Sequence, residues 1–114
     1  MDGCFERSGF DPLRVYQTQG EMRRLQCARP GCGHVWDCAA QLHAIDAASA
    51  DGVLTDLSLC PRCPQCGHEV YRPNLRGGDW FDPAPYAEAG RGLEAWLDAC
   101  VEQKSRVAIV MTFA

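Results

Sequence analysis

Eight cysteines in a chain of 114 residues constrain this fold more than any other feature. Six of them, with all three histidines, fall between residues 27 and 68. Two short stretches read as metal-binding knuckles: Cys27-Ala28-Arg29-Pro30-Gly31-Cys32 and Cys63-Pro64-Gln65-Cys66-Gly67. Each carries Pro and Gly where the chain must wrap so that two thiolates face one centre. Four sulfurs at about 2.3 Å in a tetrahedron suit zinc, which has no geometric preference of its own. Gly67 lets the second turn close without a Cβ clash. The first set of ligands is therefore Cys27, Cys32, Cys63 and Cys66. Cys60-Pro61-Arg62-Cys63 is an equally good pair by spacing, so Cys60, Cys38 or His34 is each a substitute ligand. His68 also sits beside a knuckle, but a neighbouring His is more often a surface residue. Cys4, Cys38 and Cys100 read as free buried thiols, which behave as small hydrophobes. A redox role for Cys60, Cys63 and Cys66 needs a thioredoxin-like strand–helix context, which the pattern lacks.

The compartment supports metal over disulfides. The longest apolar run, Val107-Ala108-Ile109-Val110-Met111, is far short of the roughly 20 residues that a spanning helix needs. Charged residues break up any leader-like run near the start. The expectation is a cytoplasmic chain in which thiols stay reduced. The length suits one ordinary domain. A net charge of -4 argues against a general nucleic-acid binder, which wants a basic face.

Along the chain, Gly9-Phe10-Asp11-Pro12 is turn chemistry. Residues 13–18 and 22–27 read as two strands interrupted at Gln19-Gly20. A short helix is expected around 40–48, with a loop tip at Ala50-Asp51-Gly52. Arg72-Pro73-Asn74 and Gly77-Gly78-Asp79 read as extended or turning. Residues 82–103 are the clearest helix. Asp82 is a good N-cap and Pro83 suits the first helical position. Tyr86, Ala89, Leu93, Trp96, Leu97, Cys100 and Val101 form one apolar stripe. Residues 106–113 then read as a buried strand, and a helix feeding such a strand is the tail of a parallel α/β unit. Three segments follow: a lead-in at 1–26, a zinc module at 27–68, and a return helix and strand at 69–114. The fold class is α+β, a small four-cysteine zinc-ribbon-like module flanked by a helix and strand of an incomplete Rossmann-type domain.

The order of motifs resembles a family. Asp2-Gly3, Gly9-Phe10-Asp11-Pro12, Val15-Tyr16, Gln19-Gly20 and Leu25-Gln26-Cys27 are followed by Cys63-Pro64-Gln65-Cys66-Gly67 and Arg72-Pro73-Asn74. This is similar to the middle of a sirtuin, an NAD-dependent protein deacylase, of a bacterial type. The resemblance implies a structural zinc beside a Rossmann-type domain, with NAD and an acyl-lysine protein substrate meeting between the two. It also implies that a His before Gly serves as general base on the ribose. The chain departs from that pattern. Gln19 occupies the His position, and an amide has no pKa near neutrality with which to take a proton. The glycine-rich phosphate loop would precede Met1. Asp2 is the one cofactor contact expected here, and a weak one. Leu75-Arg76-Gly77-Gly78-Asp79 differs from the usual substrate loop, and Phe113 stands where a Gly is expected.

The sequence thus reads as the zinc-bearing segment of a sirtuin-like, NAD-dependent protein deacylase, a transferase in reaction type, inactive as this chain. The alternative is a zinc-stabilised protein-interaction module. Self-association through the strand at 106–113 is a further expectation, since its parallel neighbours would be missing.

Overall fold

A computed structural model of the chain describes residues 3–112. It is a mixed α/β structure of small antiparallel sheets and helices, organised around one strand. That strand, β1 (Gly20–Cys27), lies in the middle of a three-stranded sheet. On one side it pairs with β2 (Val35–Asp37), setting Leu25 opposite Trp36. On the other it pairs with β5 (Tyr71–Leu75), and the register shifts between Glu21 and Leu25. Such a bulge adds residues to one strand and re-aims its side chains. It explains why Glu21, Leu25, Gln26 and Cys27 are all buried while Met22 and Arg23 are exposed, a pattern that strict alternation does not give.

Between β2 and β5 run α2 (Ala39–Ala48) and a two-stranded hairpin of β3 (Ser49–Ala50) and β4 (Val53–Leu54). The hairpin turns at Asp51-Gly52, both at positive φ, so the short helix and loop tip lie where the composition places them. A short α1 (Cys4–Arg7) opens the described chain and α3 (Ala87–Glu102) closes its regular structure.

Three expectations are corrected. Residues 13–18 are not a strand. Asp11 accepts a hydrogen bond from the Leu13 N–H (3.0 Å), and Pro12–Arg14 form a 3-10 turn. Pro12 presets φ and the local bond satisfies the backbone, while no neighbouring strand offers an alternative. The helix begins at Ala87 rather than at 82. Asp82 does accept from the Ala84 N–H (2.9 Å), but the turn so started is a 3-10 turn at Ala84–Tyr86. Finally, residues 106–112 form no strand, and Ile109 and Val110 are 86% and 84% exposed. An apolar strand needs flanking ladders for its backbone groups, and within the described residues nothing pairs with this one. Phe113 and Asp2 lie outside the described residues. The apolar stripe of α3 is also largely open: Tyr86 is buried, whereas Trp96 and Val101 are 53% and 77% exposed.

The core beside the sheet is largely polar. Asn74 is fully buried and donates through Nδ2 to Gln26 Oε1 (3.1 Å) and the Asp82 carbonyl (3.2 Å). Its Oδ1 accepts from the Tyr86 hydroxyl (2.6 Å), which itself accepts from the Glu21 N–H (3.2 Å). Burial, followed by the charge of Glu21, pushes the Tyr86 pKa up. Glu21 is buried yet held by Arg23 (2.8 Å) and Arg24 (2.6 Å), with Gln17 donating to the same carboxylate (3.2 Å). Gln17 also donates to Glu6 on α1 (2.9 Å), tying that helix to the sheet.

Gly20 opens β1 at φ +76, and a Cβ there would run into the Asn74 carbonyl oxygen. Gly20→Ala is expected to cost at least about 2 kcal/mol, from the left-handed backbone alone and before the overlap with a neighbouring strand is added. Denaturant melts of the two proteins check this; equal midpoints would contradict it.

Candidate metal centre

Cys27 ends β1, so the first knuckle leaves the sheet directly from its central strand. The Cys27 N–H donates to the His34 carbonyl (2.9 Å), which brings the chain back after the Cys27–Cys32 loop. The second knuckle closes in the same manner. The Cys63 N–H donates to the His68 carbonyl (2.9 Å) and the Gly67 N–H to the Cys63 carbonyl (2.8 Å), with Gly67 at φ +70. A bond from the Ala28 N–H to the Val70 carbonyl (3.0 Å), beside the Cys27–Tyr71 register pair, locks the two knuckles together.

The result is a cluster in which the Sγ atoms of Cys27, Cys32, Cys63 and Cys66 all lie within 4.8 Å of one another. Cys27 and Cys66 are 3.6 Å apart, and Cys32 and Cys63 are 3.8 Å apart. A tetrahedron with zinc–sulfur bonds of about 2.3 Å has edges of roughly 3.8 Å. These four cysteines could hold a metal ion, and both the donor chemistry and the spacing fit zinc. Zinc bound there would act structurally, since four protein ligands leave no open position.

The protonation of the cluster shows why it wants a cation. Burial pushes the Cys27 thiol up to about 12. The backbone N–H of His68 is the main influence that lowers Cys66, to about 6. At Cys32 the His34 N–H favours the thiolate, but burial and neighbouring thiols together leave its pKa raised. One sulfur readily carries charge and another resists it. Charging all four is unfavourable without a positive ion among them, and metal binding must expel the proton from Cys27.

The substitute ligands are placed elsewhere. Cys60 is exposed and outside the four-sulfur cluster. Cys38 is buried at the start of α2, where its thiol donates to the Arg23 carbonyl (3.0 Å). The His34 ring stacks on Trp36 at 6.2 Å, and His68 Nδ1 accepts from the Val70 N–H (3.0 Å). Of the three thiols expected to be buried, Cys38 is, Cys100 is half-buried and Cys4 is exposed. Gln19 sits exposed in the turn before β1, where its carbonyl accepts from the Arg76 N–H (3.1 Å). The network through Gln17, Glu21, Gln26, Asn74 and Tyr86 is not evident as a unit from the sequence. Its signal in the sequence was slight, an Asn in the middle of a strand-like segment.

No family model matches the chain. A curated protein of Fusarium oxysporum f. sp. cubense, described as a probable bifunctional ADP-ribose hydrolase/ADP-ribosyltransferase, is 31% identical to it over 117 residues. The match takes in 96% of this chain but 19% of that protein, so the chain spans about a fifth of the relative's length. Among the described residues no helix is long and apolar enough to cross a membrane.

Proposed function

We propose that this chain is the structural zinc module of a sirtuin-like protein that uses NAD as a source of ADP-ribose. The observation that carries the zinc reading is the spacing of the Cys27, Cys32, Cys63 and Cys66 sulfurs, close to the edge of a zinc tetrahedron. Two features favour transfer of ADP-ribose over deacylation. The relative's description names an ADP-ribosyltransferase. In addition, Gln19 stands where the sirtuin resemblance requires a base, and losing a general base typically costs about 10²–10⁴-fold.

The residues present do not fit a complete NAD site. The described chain has no glycine-rich turn between a parallel strand and a helix to take a pyrophosphate. On this reading the rest of a longer protein holds the cofactor, and the module fixes the geometry around it. An interaction module is the second reading, favoured by the exposed apolar residues of α3 and of residues 107–111.

Loss of the acetyl group from an acetyl-lysine peptide in the presence of NAD tests whether this chain is a complete deacylase. No deacylation is expected of this chain, nor of Gln19→His, because restoring a base does not restore positioning, worth about 7–11 kcal/mol in well-oriented reactions. Deacylation by the unmodified chain would overturn the proposal.

A further inference from the structure

The insert between β2 and β5 carries the charge imbalance of the chain. From Pro30 to Pro61 the acidic residues are Asp37, Asp46, Asp51 and Asp56, and there is no Lys or Arg. The other eleven acidic and eleven basic residues balance, so the net charge of -4 resides in this insert and the turn leading into it. Arg23 lies 3.9 Å from Asp37. Asp46, Asp51 and Asp56 make no ion pair among the described residues. Asp46 stands in the last turn of α2, where the helix end is itself negative and a basic residue is the favourable one.

The same insert is thinly packed. Neither α2 nor the 3-10 turn at Leu57–Leu59, which packs against it, contains a buried residue. With ten residues, α2 is short enough to be marginal in water without tertiary packing. Leu42, Val53 and Leu57 are 41%, 57% and 74% exposed. Each stands beside one of the unpaired carboxylates. Leu42 is one helical turn before Asp46, Val53 follows the Asp51-Gly52 tip, and Leu57 follows Asp56.

We infer that α2, the β3–β4 hairpin and the Leu57–Leu59 turn form a docking surface for a basic, amphipathic segment of a partner protein. Its Arg or Lys side chains face Asp46, Asp51 and Asp56, and its apolar side chains cover Leu42, Val53 and Leu57. Complementary charge steers such a segment and fixes its register. The covered apolar area supplies most of the affinity, because exposed ion pairs are weak. The carboxylates are not gathered around one point as the four thiols are, so charges spread along a polypeptide answer them better than one metal ion. The acidic field also disfavours nucleic acid and anionic lipid.

The test is fluorescence anisotropy of the zinc-loaded chain with a labelled amphipathic peptide of Arg and Leu. That peptide has no lysine and so cannot be a deacylation substrate. Counterparts with Gln for Arg and with Ser for Leu are run beside it. Salt-sensitive binding of the Arg–Leu peptide is expected, with much weaker binding of both counterparts. Combined Asp46→Asn, Asp51→Asn and Asp56→Asn should weaken binding about tenfold, as should Leu57→Ser. Asn keeps the cap that Asp56 gives to the Ser58 N–H (3.0 Å) and tolerates the positive φ of Asp51. Combined Glu94→Gln and Asp98→Asn, which remove two exposed acids from α3, should leave binding unchanged. Zinc content and melting midpoint are measured for every variant, and Val53→Ser serves if Leu57→Ser does not fold. Equal binding of the Arg–Leu and Gln–Leu peptides, or an equal loss in the α3 variant, would overturn the inference. So would a dimer in sedimentation that the triple Asn variant abolishes, since the occupant would then be a second copy of this chain, through Lys104, Arg106 and the apolar residues after them.

Discussion

Chelation of zinc is expected to unfold this chain, and Cys63→Ser or Cys66→Ser to abolish metal retention. Structural zinc sites contribute about 10–16 kcal/mol of apparent binding free energy near neutral pH. A whole domain has only about 5–15 kcal/mol of net stability. The apolar core available to replace the metal is small: the buried hydrophobic residues among those described are Leu25, Cys27, Cys38, Cys63 and Tyr86. Two of these five are themselves in the sulfur cluster. The knuckles also sit at the junction of β1 and β5, so freeing them loosens the sheet at its centre. Metal analysis should find one zinc per chain, and circular dichroism should show loss of structure with a chelator. Cys60→Ser and Cys100→Ser should leave both unchanged. Metal-free protein that melts at the same temperature before and after chelator would refute the zinc assignment.

The second large effect belongs to Asn74. Replacing it with Ala is expected to cost about 3–5 kcal/mol. The change leaves Gln26 Oε1 and the Asp82 carbonyl without their Asn74 donor, and the Tyr86 hydroxyl keeps only its longer bond to the residue 74 backbone carbonyl (3.4 Å). Each buried polar group left unsatisfied costs about 1–3 kcal/mol, and partial relaxation keeps the total below a simple sum. Tyr86→Phe should cost less, because it orphans Asn74 Oδ1 and the Glu21 N–H but leaves the Asn74 amide donors paired. Chemical denaturation of the two variants gives the order directly. If Asn74→Ala proved the milder change, the network would not be organised around Asn74.

The zinc ligands could be named from the sequence because short-range covalent geometry determines them. Two Cys within a few residues, joined by Pro and Gly, can face one ion only through a tight turn. The structure brings those four sulfurs together and leaves Cys60 outside. The helix at Ala87–Glu102 and the turn at Asp51-Gly52 were legible for the same reason, through local periodicity and turn chemistry. Residues 106–112 form no strand because a run of apolar residues specifies a wish for burial, not a partner. Whether it becomes a strand depends on neighbours that the described chain does not supply. The 3-10 turn at Pro12–Arg14 shows the reverse case, in which one side-chain bond from Asp11 outweighs weak alternation.

Only the tertiary structure decided the polar core and the stacking of Arg72 on Trp80 and of Arg76 on Phe81. Asn74, Gln26 and Tyr86 are far apart in sequence; the two amides alone read as surface residues, and Tyr86 reads only as one end of the helix's apolar stripe. The bulge between Glu21 and Leu25 shifts the register so that these polar groups turn inward and satisfy one another. Likewise nothing in the spacing of Arg72 and Arg76 announces Trp80 and Phe81 beneath them. Sequence determined what depends on neighbours a few residues away, namely the cysteine knuckles, the helix and the turns. The fold decided whatever depends on contacts closed by the sheet, because hydrogen bonds and ring stacking between distant residues exist only once β1 and β5 have paired.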